Sequence, residues 1–337
     1  MLMNKSVKPR QAAAMKPVLW VGGAAAVLLL ILRVTQMPLL RDSQTGRFAV
    51  SLPAIAVTLA ALLAMALLCR RAEPGRVDIA EPWVMPLALT AMLSGLLLGI
   101  SGLWDLYNWA INGVMPAPEV TEMTRISTGI LALCLLFAVL GAAALIAFGL
   151  QVASEGGTRI GMSTWPLLAP VLWVWLRLAR YEMSYASAVG LSECYYDFMM
   201  FIFELLFLFK LARFVSGIGN TRPGSLLFFA MGAAIFSLSG PLTRLSMFLL
   251  EDSEAYLASE LAGMSDFAVG ALALVFALAL TGSAVRRPDQ SVGASAGDAV
   301  SAEPLPEPVS PSAAEEPASS PEPDEPPSAA SSTGSQA

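Results

Sequence analysis

The chain has 337 residues, of which 56% are hydrophobic and 14% charged, with a mean hydropathy of +0.65. Soluble domains carry about 45–50% apolar and about 25% charged residues, so an ordinary water-soluble globule is excluded. The net charge of −6 averages two regions: all 20 basic residues lie in the first 287 positions against 17 acids, a net of +3, and the segment from Pro288 onward holds nine acids and no base.

Residues 1–16 form a basic N-terminus with Lys5, Lys8, Arg10 and Lys16, ahead of an apolar run from Val18 to Leu32. The next residues, Arg33-Val-Thr-Gln-Met-Pro38, have no small-x-small cleavage pattern, so the run reads as an uncleaved first membrane helix. A bilayer core about 30 Å thick takes roughly 20 apolar residues in a helix. Eight windows within 17–285 reach that length, at about 17–34, 49–69, 83–103, 127–150, 164–185, 194–215, 224–250 and 263–285. Such continuous runs do not fit the alternating strands of a barrel. The expectation is an all-α polytopic transmembrane bundle of about eight helices.

In the third window Gly95-x-x-x-Gly99 with Gly102 is a close-packing motif, within or between subunits, and the Gly22 and Gly141 runs read the same way. Pro53 and Pro86 sit early in the second and third windows. Thr164-Trp165-Pro166 supplies a capping hydroxyl and an early proline to the fifth. Pro241 instead falls inside the seventh, where a missing N–H kinks a helix. Trp20, Trp83, Trp104, Tyr107 and Trp109 suit interfacial belts. Cys69, Cys134 and Cys194 are widely spaced and read as helix filler.

With the N-terminus inside, the inner segments hold 13 Lys and Arg residues, and the outer ones only Arg41, Arg47 and Arg125. That bias places both ends in the cytoplasm. Residues 288–337 contain ten of the 23 prolines and no aromatic residue. Such an acidic Pro/Ser/Ala-rich segment is expected to be a disordered cytoplasmic tail, and it is a candidate docking site for a protein partner.

Ionisable residues inside spans are costly and mark sites by default. Arg177 and Arg180 share a face of the fifth helix with Pro166, Pro170, Trp173 and Ser184. Glu193, Asp197 and Glu204 form one stripe of the sixth. In an antiparallel hairpin Arg177 and Glu204 sit at one depth, and Asp197 lies about a turn from the level of Arg180. A polar seam pairing Arg177 with Glu204 is therefore expected, either fixing the hairpin's register or forming a solute or ion path. Arg244, beside Pro241, either joins the seam or snorkels toward Glu251 and Asp252. The candidate site is thus Arg177, Arg180, Asp197, Glu204 and Arg244.

Without histidine there is no H-E-x-x-H zinc site, Ser–His protease or His-ligated haem. No metal-ligand spacing, phosphate loop or paired-aspartate protease signature occurs, with Asp105, Asp197 and Asp266 all lacking it. No enzyme activity, cofactor, metal or nucleic-acid partner is expected.

The stretch Trp165-Pro-Leu-Leu-Ala-Pro-Val-Leu-Trp-Val-Trp-Leu-Arg177, then Ser192-Glu193 and Lys210-Leu-Ala-Arg213, resembles multi-pass membrane proteins of anaerobic Gram-positive bacteria. The similarity covers the fifth and sixth helices. It implies a bacterial cytoplasmic membrane, and the group carries no named activity and no assigned residues. The expected function is a non-enzymatic membrane component, a scaffold, accessory subunit or signalling partner. The alternative is a small-solute or ion permease using the charged seam.

Overall fold

A computed structural model describes residues 10–42, 47–70, 76–77, 79–112, 124–155, 163–185, 191–217, 223–251, 254–282 and 285–286. The segment 288–337, with its expected disorder and partner site, lies outside the described residues, as do residues 1–9. Eight helices are found among the described residues: α1 (Arg10–Asp42), α2 (Arg47–Arg70), α3 (Glu81–Asn112), α4 (Thr124–Glu155), α5 (Thr164–Tyr185), α6 (Leu191–Val215), α7 (Pro223–Glu251) and α8 (Glu254–Gly282). A two-residue antiparallel pairing, β1 (Arg76–Val77) with β2 (Val285–Arg286), ties the α2–α3 connection to the segment after α8.

Six helices, α1 to α4, α7 and α8, are long and apolar enough to cross a bilayer. The chain is an all-α, multi-pass membrane protein. Helices α5 and α6 fall outside that set because they carry Arg177, Arg180, Asp197, Glu204 and Lys210. They reach membrane-spanning length all the same, at 22 and 25 residues. Several helices run past the apolar windows. The largest extension is in α8, which begins at Glu254 rather than near 263.

The helices α3 to α8 close a ring. Each packs on its sequence neighbours, and α8 returns to pack on α3. Short connections make neighbours antiparallel, so the ends of α3, α5 and α7 share one end of the ring with the starts of α4, α6 and α8. The α1–α2 pair stands outside, leaning chiefly on α7. Helix α7 is accordingly the most buried span and α2 the least. Small residues make that close packing possible: Ala230, Ala233, Ala234 and Ser237 of α7 are all buried, as are Ala268, Ala273 and Ala277 of α8. Outward-facing Leu63, Met85, Leu103 and Trp165 are more than half exposed, as a lipid-facing surface requires.

The glycine motif of α3 resolves as packing within the chain. A Cβ at Gly95 would lie 2.7 Å from the carbonyl oxygen of Ala142 and 2.9 Å from Cγ1 of Ile146 on α4. At Gly149 of α4 it would lie 2.7 Å from the carbonyl oxygen of Ala88. Helix α7 continues through Pro241. With no N–H, that proline withholds from the Ser237 carbonyl its usual helical partner.

Candidate functional site

Polar side chains gather where α3, α5 and α7 end. Arg177 of α5 makes a fork-to-fork ion pair with Asp266 of α8, Nη1 donating to Oδ1 and Nη2 donating to Oδ2 at 3.1 Å. Its guanidinium carbon lies 4.7 Å from the ring centre of Trp173, one turn back on α5, and 4.9 Å from that of Phe201 on α6. A cation set over aromatic rings while donating twice to one carboxylate is an arrangement that arginine provides and lysine does not. The pair crosses the ring from α5 to α8.

Glu204 of α6 is fully buried. The Ser237 hydroxyl of α7 donates to its Oε1 at 2.7 Å. Its Oε2 is sealed from solvent and has no hydrogen-bond partner among the described residues. Arg177 and Asp266 both lie within electrostatic reach of Glu204. Two acids and one guanidinium therefore share this region. Helix α7 adds, among its described side chains, the Ser237 hydroxyl and no charge.

Hydroxyls extend the cluster toward the ring's end. The Ser265 Oγ lies 3.4 Å from Oδ1 of Asp266 and 3.4 Å from the Ser101 Oγ of α3. One turn further along α3, Asp105 meets Arg180 of α5 at 3.7 Å, and both side chains are about 30% exposed, at 30% and 29%. The polar groups thus run from Asp105 and Arg180 at the margin to Glu204 in the interior. In the opposite direction the contact between α6 and α8 is aromatic. Phe207, one turn beyond Glu204, is fully buried with its ring centre 6.0 Å from that of Phe276 on α8, which also meets Phe214 at 5.6 Å.

Compared with known proteins, the chain matches no protein-family model, no curated protein and no solved structure.

The structure brings four of the five expected residues to this region, with different partners. Arg177 is ion-paired to Asp266 rather than to Glu204. Asp197 accepts from the Tyr181 hydroxyl at 3.5 Å, and Arg180 turns to Asp105 of α3. The side chains of Arg244 and Glu193 lie outside the described residues. Sequence reading missed Asp105, Asp266, Ser237, Ser265 and Ser101 as members. The acids had a signal, since both fall in or beside apolar windows. The serines had none, because nothing in the sequence says that α8 returns to α3. A second, separate contact docks α1 on the ring: the Arg33 guanidinium carbon lies 4.3 Å from the ring centre of Tyr196.

Proposed function

We propose that the protein is a non-enzymatic component of a bacterial cytoplasmic membrane that exchanges a small monovalent cation at Glu204 and couples that exchange to permeation of a solute. One observation carries the reading: a fully buried carboxylate with an unpartnered oxygen, beside a pair already neutral in itself. Unsatisfied buried polar groups call for an occupant or a role, and ionisable residues in a membrane interior are functional by default. The bias of Lys and Arg to one side supports a cytoplasmic placement of both chain ends, which directs the polar end of the ring outward.

The test is charge displacement. The full chain, reconstituted into vesicles of phosphatidylethanolamine and phosphatidylglycerol on a solid-supported membrane, is stepped in proton, sodium or potassium concentration. One of these steps produces a transient current, and Glu204→Gln removes it. A protein without a transient for any of the three, or with one indifferent to Glu204→Gln, overturns the proposal.

The second reading is a scaffold or signalling partner that contacts proteins through its acidic tail. The Arg177–Asp266 fork, packed between Trp173 and Phe201, is compatible with it, because a pair of that kind can lock α5 to α8 without touching a ligand. Deletion of residues 288–337 then abolishes capture of the partner; persistence of every captured protein refutes the tail's role.

A further inference from the structure

Resting on the reading of Glu204 as a cation-exchanging group, we infer that the cation is the proton, that it arrives from the polar end of the ring past Asp105, Ser101, Ser265 and Asp266, and that Phe207, Phe214 and Phe276 close the way to the other end. The donor set decides the ion. A metal cation in a protein is held by several oxygens, commonly six or more for the hard divalent ions. Glu204 has the Ser237 hydroxyl as its hydrogen-bond partner, and no group of three or more His, Cys, Asp or Glu side chains able to hold a metal ion occurs among the described residues. A proton needs one oxygen lone pair, and Oε2 provides it.

The route is set by the exposure gradient. Asp105 and Arg180 are about one-third open, Arg177 is 18% exposed, Asp266 is 4% exposed and Glu204 is closed. Between the two acids of the route stand hydroxyls, the groups that both give and accept protons. The Ser101 and Ser265 oxygens are 3.4 Å apart, and Ser265 is as far from Asp266. Each step moves one proton between oxygens: an O–H bond forms on the acceptor as one breaks on the donor, and no co-reactant is consumed. Arg177 faces Glu204 from α5 and Asp266 faces it from α8, so a proton arriving at Asp266 frees the guanidinium to turn toward Glu204. Beyond Glu204 the α6–α8 contact is aromatic, and the buried Ser94 hydroxyl of α3 donates to the Ala268 carbonyl. The phenylalanine rings of α6 and α8 fill the space between these helices, and they offer a proton no lone pair.

The experiment is a sided pH step on the reconstituted full chain, with orientation read from impermeant labelling of a Ser253→Cys reporter between α7 and α8. The transient rises fast when the step is applied at that end and slowly or not at all from the other. Asp105→Asn, and the double change Ser101→Ala with Ser265→Ala, slow the rise by about a hundredfold, the low end of what a positioned proton-transfer group contributes, and leave its amplitude intact. Phe276→Ala adds a steady proton leak. Phe276→Leu and Phe207→Ala are the companions should Phe276→Ala fail to fold, and either one that leaks serves equally. A transient that is equally fast from both ends, or untouched by Asp105→Asn and the serine pair, overturns this route while leaving Glu204 as the exchanging group. Folded phenylalanine variants that stay tight overturn the seal. Loss of any Glu204-dependent transient in the unmodified chain is a different result and refutes the proposed function itself.

Discussion

Replacing Arg177 tests which carboxylate it belongs to. In Arg177→Leu, Asp266 and Glu204 are left as two buried acids without a base. Breaking a buried pair by removing one partner costs about 3–5 kcal/mol, and the lost stacking on Trp173 and Phe201 adds about 0.5–2 kcal/mol. Asp266→Leu costs less, at or below the lower end of the first range, because Glu204 remains to receive the guanidinium. The double change Arg177→Leu with Asp266→Leu recovers most of the loss, giving a coupling of about 3 kcal/mol, or on the order of a hundredfold in the folded-to-unfolded ratio. The cycle of Arg177→Leu with Glu204→Leu gives only about 0.5–1 kcal/mol, the low end for neighbouring groups. The assay is denaturant unfolding in mixed micelles followed by the fluorescence of the seven tryptophans. A coupling of Arg177 to Glu204 equal to or larger than that to Asp266 would refute the assignment of the pair.

Three further outcomes are expected from the packing and the orientation. Ser237→Ala removes the hydrogen bond to Oε1 of Glu204 and lowers stability by about 1.5–3 kcal/mol if that carboxylate is ionised in the folded protein; an unchanged unfolding midpoint contradicts the bond. Gly95→Leu, which forces a side chain into the backbone of Ala142, lowers the yield of monodisperse protein on size exclusion. Gly99→Ala, whose Cβ meets that of Ala142 at 3.4 Å, leaves the yield unchanged, and equal yields for the two variants would place the α3–α4 contact elsewhere. With Cys69, Cys134 and Cys194 replaced, Ser253→Cys reacts with an impermeant maleimide from outside intact cells; labelling only after lysis reverses the orientation.

The helices were legible because each is a long apolar run, and their number comes directly from those runs. The partners were not, for two physical reasons. Depth matching along a hairpin compares only sequence neighbours, and of α4 and α6 only α6 carries acids within its apolar window to pair with α5. The closure of α8 onto α3 is a long-range event that no local pattern encodes. Hydropathy placed the apolar span of α8 from about 263, where the structure also has it, at Gly263–Gly282. What it could not show is that the helix itself runs on to Glu254, which places Asp266 three turns from the helix start. The residues 254–262 include Glu254 and Glu260, which lower the hydropathy without stopping the helix. The proline at 241 was legible as a break in the backbone ladder, and its place beside Ser237 gives that break a neighbour in the charged cluster.

Closure of the ring by its last helix has a consequence for synthesis. Arg177 leaves the ribosome 89 residues ahead of Asp266, which at roughly 5–20 residues per second is a wait of about 5–20 seconds. Throughout that interval the finished partner does not exist, and Glu204, made on the very next helix, is the near countercharge. The nascent hairpin of α5 and α6 can therefore hold the pairing that its own sequence suggests, and surrender it when α8 arrives.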